Sequence, residues 1–335
     1  MVLLAGGAGS PTAFAQADSQ ISPAQARQVL DQNKAGLQGN ASEIKQARNA
    51  ILAPLTPGMG VAARSDYAQA VVSVIRPLAT DLRPEVAINA LRIAGELETS
   101  DGMNLLAEGL KDKREAVRMT AALGYARTFA VAAQAQPAIL AQQVGSAVSM
   151  LQAKLQSESN PQVVEGLIIA LDAATKVPQS RLENVHEQAL DALITGASGV
   201  AQRAGTARGD AVLTIAPALS RAAQSLFDVF SDPANHTTSS QSTAAAGFAG
   251  DVVAMVDRAL TASPDIGAGE RSQLAFLTGQ ALRIYDAAGG RAHGPAIDLK
   301  LDSLLAESKD DEFKTQAAKL IGAEGVLTKS PFGFK

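Results

Sequence analysis

The three histidines and the lack of cysteine set the limits on the chemistry of this 335-residue sequence. Without cysteine, disulfides, zinc–thiolate sites and thiol nucleophiles are excluded. His186 follows a predicted helix start without a second histidine four residues later, so it lacks the facing pair of a zincin-type site. His236 falls in a polar stretch and His293 in a glycine-rich connection. We interpret all three as surface residues, although the sequence leaves open whether they converge in the fold.

Other motifs that carry catalytic chemistry are missing or unspecific. Gly289-Gly290-Arg291 lacks the preceding strand, the lysine and the hydroxyl of a phosphate-binding loop. No G-x-S-x-G elbow exposes a serine nucleophile. Asp310-Asp311 could bind a hard cation, but acids at a helix start also stabilise the helix dipole. The sequence therefore predicts no catalytic residue, no cofactor, no metal site and no enzymatic activity.

Composition favours a folded helical protein. Hydrophobic residues make up 47% of the chain and charged residues 19%, which excludes wholesale disorder. Alanine and leucine dominate the apolar fraction, whereas aromatic residues are only 4%. Such a mixture favours helices that approach closely through small side chains. With 29 basic and 33 acidic residues the net charge is −4, and without concentrated positive charge we expect no binding to nucleic acid.

The first residues predict an exported protein. Residues 1–8 are apolar, and the small-x-small patterns Ala13-Phe14-Ala15 and Ala15-Gln16-Ala17 offer two cleavage sites. Residues 1–17 are therefore interpreted as a secretory signal peptide, truncated because its basic leader is missing. A disordered alanine-rich tail is the alternative. No later segment has the ~20 apolar residues of a membrane span, so the mature chain is expected to be periplasmic or extracellular in a bacterium.

Helical periodicity extends over nearly all of the remaining chain. Helix-sized runs fall at about 23–37, 41–53 and 65–79, and Asn40 to Glu43 match a capping box. Placing Asp81 over Asp112 superposes Val86 on Val117, which gives a spacing of 31 residues, but Val117 and Val164 are 47 residues apart, so the period is irregular. Repeats of this length are typical of solenoids, in which each helix pair buries its apolar face against the neighbouring pairs.

Two segments within this repeat resemble a known family. Residues 84–95 and 115–124 are similar to the second helices of HEAT or HEAT-like (PBS-lyase-type) repeats, and the resemblance is clearest over residues 80–175. It implies an all-α fold, a right-handed α-solenoid of stacked antiparallel helix pairs. It also implies a ladder between repeats, made by a turn aspartate and a basic residue after the valine. Asp112 and Arg118 match both positions, whereas Asp81 matches the first and Ala87 replaces the basic residue.

The C-terminal half is predicted to be helical but less regular. HEAT-like repeats are assigned to residues 18–200, and residues 201–335 are a helical continuation with a polar loop at 231–243. We expect a helix from the Ser180–Glu183 capping box to about Thr195, ended by the glycines of 196–199. Residues 297–302 alternate like a strand but are assigned to a helix, because a lone strand has no partner. The last five residues are expected to fray or to fold onto the last helix, with a docking peptide as the alternative.

The functional hypothesis follows from the architecture. We expect a non-catalytic scaffold that presents a helical-repeat surface to a protein partner outside the cytoplasm. A structural subunit of a cell-envelope assembly is one alternative, and an enzyme or its accessory subunit is another. A pocket that holds His186 and His236 in mutual reach would favour the enzyme. The partner and the oligomeric state are not determined by the sequence.

Overall fold

The structure is a computed structural model that describes residues 21–55, 59–134, 138–178, 182, 184–206, 209–263 and 265–334. The predicted signal peptide at 1–17 lies outside these residues, as do Ser180, Arg181 and Glu183 of one predicted capping box. Across the described ranges the regular structure is helical, apart from an isolated parallel bridge between Thr99 and Ala138. None of the described helices combines the length and apolar character needed to cross a bilayer.

Fourteen α-helices lie in the described part of the chain. They are α1 (Pro23–Asn33), α2 (Ala41–Leu52), α3 (Val61–Ala79), α4 (Pro84–Leu97), α5 (Ser100–Gly109), α6 (Glu115–Gln134), α7 (Ala141–Ser157), α8 (Pro161–Thr175), α9 (Val185–Gly205), α10 (Gly209–Ser231), α11 (Ser239–Ala262), α12 (Ala268–Ile284), α13 (Leu301–Ala306) and α14 (Asp310–Ile321). A 3₁₀ turn, Gly36–Gln38, precedes α2, and a π-helical turn, Tyr285–Gly289, follows α12.

The helices form two layers. In one layer α2, α4, α6, α8, α10 and α12 follow one another, each packed on the next; in the other layer α1, α3, α5, α7, α9 and α11 do the same. The last pair is placed the other way round. The odd-numbered α13 packs on α12 of the even-numbered layer, and α14 packs on α11 of the odd-numbered layer. Each pair thus contacts mainly the pairs before and after it. The predicted all-α solenoid of stacked helix pairs is confirmed.

The apolar stripe that the sequence places on α4 is buried in this stack. Its members have at most 2% of their surface exposed: Val86, Ala90, Ile93, Ala94 and Leu97. Glycine sets the spacing between α4 and α6, since a Cβ added to Gly95 would lie 2.7 Å from Cα of Gly124. The backbones of α4 and α6 therefore approach more closely than they could if position 95 carried a side chain.

Local capping explains several helix starts. The Asn40 side chain accepts hydrogen bonds from the backbone amides of Ser42 and Glu43 at 2.9 and 3.1 Å. In return, the Asn40 amide donates to Oε2 of Glu43 at 2.7 Å. This reciprocal arrangement satisfies backbone donors that have no partner inside the helix. The predicted capping box at the start of α2 is confirmed.

The predicted end of α9 is wrong. The helix does not end at the glycines of 196–199 but continues to Gly205. Gly196 is buried, and a Cβ added to it would lie 2.5 Å from Cδ2 of Leu155. This glycine makes room for the leucine of α7 and does not terminate the helix.

The predicted polar loop at 231–243 is too long. Helix α11 already begins at Ser239, because the Thr238 hydroxyl accepts a hydrogen bond from the Gln241 amide at 3.1 Å. The Gln241 side chain accepts one from the Thr238 amide at 3.0 Å. The run of threonine and serine thus contains a capping box, and the irregular connection is confined to residues 232–238.

The assignment of residues 297–302 to a helix is also wrong over its first half. Helix α13 begins only at Leu301, and residues 297–300 have no regular structure. Ile297 and Leu299 are half-buried against the core, whereas Asp298 and Lys300 are exposed. The alternation in the sequence therefore reflects an extended segment that buries every second side chain without joining a sheet.

The C-terminal residues fold back over the end of the stack as a C-terminal strap (residues 322–334). Backbone hydrogen bonds join Val326 to Lys319 and Leu327 to Leu320, which ties the strap to α14. The Phe332 ring then lies 5.9 Å from the ring of Tyr285 in the π-helical turn. Residues 326 and 327 thus tie the strap to the last helix, whereas Phe332, one of the last five residues, packs on the π-helical turn.

Candidate binding groove

The two aspartates of the predicted ladder, Asp81 and Asp112, lie at the turns that precede α4 and α6. The Asp112 carboxylate accepts two hydrogen bonds from Arg114, at 3.0 Å from Nε and 2.8 Å from Nη2. Nη1 of Arg114 donates to the carbonyl of Asp81, one repeat earlier, at 2.6 Å. The previous turn repeats this pattern, because Arg83 binds Asp81 and donates to the carbonyl of Gln38 at 2.7 Å. The residue that crosses between these turns is therefore the arginine two positions after each aspartate.

Arg118 occupies a different place in this network. It donates to the main-chain carbonyl of Asp112 at 3.0 Å, not to the carboxylate. Its Nε and Nη2 bind the buried carboxylate of Glu158 at 2.8 and 3.0 Å. Burial alone would raise the pKa of Glu158, but hydrogen bonds from Arg118, the Asn160 amide and Lys154 outweigh it and lower the pKa to about 2. Arg118 thus connects α6 to the turn before α8.

These turn contacts are structural, and the candidate site lies instead on the layer of even-numbered helices. Three arginines, one from each of α2, α4 and α6, surround a cleft of about 490 Å³ that we name the arginine groove. Its lining consists of Arg48, Asn49, Leu52, Arg92, Gly95, Glu96, Thr120, Leu123, Gly124 and Arg127.

The three arginines differ in their partners. Nη1 of Arg48 donates to Oδ1 of Asn89 at 2.7 Å, and Nε of Arg127 pairs with Glu96 at 3.1 Å. Arg92 is exposed and has neither a hydrogen bond nor an ion pair with any residue in the described ranges. Its guanidinium is therefore available to a carboxylate from outside, which it can bind through two parallel N–H donors.

Apolar surface lies beside this free cation. Leu123 keeps 36% of its surface exposed on α6, and Leu52 of α2 is half-buried on the opposite side. Gly95 and Gly124 also line the groove and contribute no side chains to it. The groove thus offers a cation, an apolar contact and two lining positions without side chains.

Two of the histidines line a second cleft, of about 410 Å³. It lies at the end of α8, the start of α9 and the end of α10. This histidine cleft contains His186, His236 and Ser225. Nδ1 of His186 contacts the carbonyl of Thr175, which joins the end of α8 to α9. The Ser225 hydroxyl donates to the carbonyl of Arg221 at 3.1 Å, so its proton is directed to the helix and not to an imidazole.

The carboxylates of the histidine cleft are also engaged. Asp172 pairs with Lys176 at 2.7 Å, and Asp228 accepts a hydrogen bond from Gln224 at 2.6 Å. No three histidine, aspartate or glutamate side chains of the described ranges are grouped so that they could hold a metal ion. The cleft brings His186 and His236 to one place, but its groups do not form a nucleophile with its base.

The sequence did not reveal the arginine groove. Arg48, Arg92 and Arg127 are separated by 44 and 35 positions, and neither spacing matches the 31-residue period. A signal is visible only once α2, α4 and α6 are known to be neighbours, because the three arginines then line one cleft. The pair of Gly95 and Gly124 on successive even helices is the clearest hint that the sequence contains.

Comparisons with known proteins find likenesses in structure only. No protein-family model matches the chain, and no curated protein matches it in sequence. Among solved structures, a designed armadillo repeat protein, YIII(Dq)4CqI, is similar at 15% identity and a TM-score of 0.38, covering 77% of this chain and 99% of that one. An engineered protein is similar at 14% identity and a TM-score of 0.28, covering 95% and 93% of the two chains.

Proposed function

We propose that the protein is a non-catalytic scaffold that binds an extended, acidic segment of a protein partner in the arginine groove. The observation that carries this proposal is Arg92, an exposed cation without a partner among the described residues, which lines the same cleft as the exposed Leu123. A carboxylate of the partner binds Arg92, and an apolar side chain one or two positions away packs between Leu52 and Leu123. The partner's main chain runs past Gly95 and Gly124, where the lining has no side chains.

The charges of the groove favour a mixed peptide over a polyanion. Glu96 lies in the groove and already neutralises Arg127, so a uniformly negative ligand such as nucleic acid meets a carboxylate there. A nucleic-acid surface needs concentrated positive charge without interleaved acids, whereas a peptide can place single carboxylates beside apolar residues. We therefore propose a protein partner and no nucleic acid.

We further propose that the protein acts outside the cytoplasm of a bacterium. The support is the sequence of residues 1–17, with small-x-small sites that end at Ala15 and Ala17. Expression of the natural gene in a bacterium, followed by cell fractionation and N-terminal sequencing, tests this location. A mature protein that starts at Gln16 or Asp18 in the exported fraction supports it. An uncleaved chain in the cytoplasm contradicts it.

The groove is tested with a fluorescein-labelled ten-residue peptide in which glutamate alternates with leucine. Fluorescence anisotropy at low and moderate salt measures its dissociation constant for the wild type and for Arg92→Glu. Charge reversal replaces an attraction by a repulsion, so we expect binding to weaken by roughly tenfold or more, which corresponds to about 1.4 kcal/mol. Leu123→Ala should weaken binding less, by about threefold.

A matched control is Lys111→Glu, which makes the same change in net charge at an exposed lysine outside the groove. This variant should bind the peptide like the wild type. A second peptide with lysine in place of glutamate should not bind to the wild type. Equal losses for Arg92→Glu and Lys111→Glu would show that only the overall charge matters, and the proposed groove would then be rejected.

A further inference from the structure

A third cleft adjoins the histidine cleft and shares Asn235 and His236 with it. We name it the α11 cleft, because it lies where the connection between α10 and α11 meets the segment that follows α12. Its volume is about 470 Å³, and it is lined by Pro233, Asn235, His236, Thr237, Ser239, Ser242, Arg291 and His293. The lining contains one arginine, two histidines and three hydroxyl groups, and it contains no aspartate or glutamate.

Arg291 is the fixed cation of the α11 cleft. Nη1 donates to the carbonyl of Asn235 and to the hydroxyl of Thr237, both at 2.9 Å, and Nη2 donates to the carbonyl of Asp232 at 2.7 Å. All three acceptors are uncharged, and Arg291 forms no ion pair with a carboxylate in the described ranges. A guanidinium has five N–H donors, so two remain and the positive charge is not neutralised.

The two imidazoles add further donors to the same cleft. His236 and His293 are both exposed, and neither ring forms a hydrogen bond with another described residue. Each neutral imidazole offers one N–H, and each protonated one offers two N–H and a positive charge. His293 has a positive φ of 58°, a conformation that costs a non-glycine residue some free energy.

We propose that the α11 cleft binds a phosphate-type oxyanion, either as free phosphate or as a small phosphomonoester. An arginine, two imidazoles and the hydroxyls of Thr237 and Ser239 line the same cleft and offer it several donors, which suits a tetrahedral anion with several acceptor oxygens. The volume falls in the range of small-molecule sites, about 300–1,000 Å³, and leaves room for an organic substituent. This inference does not depend on the proposed function of the arginine groove.

Isothermal titration calorimetry of the full chain tests the site, with inorganic phosphate and glycerol phosphate as two separate ligands and glycerol as the uncharged control. The test variant His236→Ala/His293→Gly removes both rings, and glycine accepts the positive φ at position 293. We expect this variant to bind roughly tenfold more weakly or not measurably, because several charge-assisted hydrogen bonds are lost. Arg291 is retained because it also holds the connection before α11.

The matched control is His186→Gln, which removes an imidazole from the histidine cleft only. It should bind both ligands like the wild type, and circular dichroism should show equal helix content in all variants. The proposal is supported if the wild type binds either ligand and the double variant does not. The ligand that binds shows whether the site takes free phosphate or a phosphomonoester. Binding of neither ligand to the wild type, or equal binding by the double variant, overturns it.

Discussion

At the scale of single residues, the contact of Gly95 with Gly124 determines how closely α4 and α6 can pack. A methyl group at position 95 would meet the backbone of α6 at 2.7 Å, and a helix backbone cannot move aside as a side chain can. Gly95→Ala should therefore lower the free energy of unfolding by about 1–3 kcal/mol, which urea denaturation monitored by circular dichroism will measure.

Gly247→Ala is the control for this prediction. Gly247 lies inside α11, and a Cβ there would have no atom within 4 Å. This substitution should stabilise the protein by up to about 1 kcal/mol, because alanine loses less backbone entropy in a helix. If both alanine variants change stability in the same direction, the proposed steric role of Gly95 is contradicted.

Glu158 predicts a dependence of stability on pH. Its pKa falls from 4.5 to about 2 in the fold, since the bonds from Arg118, Asn160 and Lys154 outweigh burial. A lowered carboxyl pKa means that this stabilisation is complete above pH 4.5 and is lost as the pH falls toward 2. Glu158→Gln should lower the free energy of unfolding by about 3 kcal/mol at pH 7, because it leaves Arg118 without its buried partner.

The measurement is urea denaturation of the wild type and Glu158→Gln at pH 7, 4 and 3. The difference between the two proteins should shrink as the pH falls, because protonation removes the same charge from the wild type. An equal difference at all three values would mean that Glu158 does not titrate as the structure indicates.

The contacts that individual residues make were the feature hardest to predict from the sequence. The family resemblance indicates Asp81 and Asp112, and both lie at equivalent turns. Their side-chain partners are Arg83 and Arg114, although the resemblance implies a basic residue after the valine. The repeated aspartate-x-arginine spacing was present in the sequence, but only the fold shows that the arginine reaches the preceding turn.

At the scale of elements, the aspartate-x-arginine turn is a unit that links successive helix pairs. Arg114 uses its planar fork for Asp112 and its remaining nitrogen for the Asp81 carbonyl, and a lysine cannot reproduce this geometry. Arg114→Lys should therefore lower the free energy of unfolding by about 1–2 kcal/mol. Arg83→Lys should cost less than about 1 kcal/mol, because the Arg83 side chain is 44% exposed and that of Arg114 is 29% exposed.

Thermal and urea unfolding of the two variants will test the order of these effects. A larger loss for Arg83→Lys than for Arg114→Lys would show that exposure does not govern the strength of the turn.

Helix starts were easier to predict than helix ends. Asn40 and Glu43 form their capping box from residues three positions apart, so the signal is local. The end of α9 depends on a contact between Gly196 and Leu155 of another helix, which no local pattern contains. Similarly, the extended segment 297–300 depends on burial of Ile297 and Leu299 against the core. Tertiary packing decided the end of α9 and the extended segment, whereas the early start of α11 follows from the local capping box of Thr238 and Gln241.

At the scale of the whole molecule, the solenoid could be predicted because its period and its apolar stripes lie in the sequence. The 31-residue spacing of Asp81 and Asp112 gives the length of one repeat. The apolar stripe on α4 identifies the side of that helix that is buried in the stack. The less regular C-terminal half joins the same two layers through α9 to α12. The periodicity of the sequence does not predict that α13 and α14 pack in the opposite order at the end of the stack.

The C-terminal strap closes that end of the stack and should stabilise it locally. Phe332 contacts Tyr285, and a Cβ at Gly250 would lie 3.2 Å from the Phe334 ring. In a solenoid, stability is the sum of contacts between neighbouring pairs. Phe332→Ala/Phe334→Ala should therefore speed hydrogen exchange in α11 and α12 by roughly tenfold or more, whereas α2 to α6 should exchange as in the wild type.

Mass-spectrometric hydrogen exchange of both proteins will measure this. Uniformly faster exchange along the chain would show that the protein unfolds as a single cooperative unit, in contrast to the local effect expected here.

The matching sequence of the two aspartate-x-arginine turns, 31 residues apart, has a consequence for how such a protein can change in length. A tandem duplication of residues 82–112 would place Leu82 and Arg83 directly after Asp112, which recreates the turn at the junction. The inserted copy would carry one even-numbered and one odd-numbered helix, and each layer would grow by one helix, about 8–10 Å. A single in-frame genetic event could therefore extend the surface that this protein offers to its surroundings without disturbing the order of its layers.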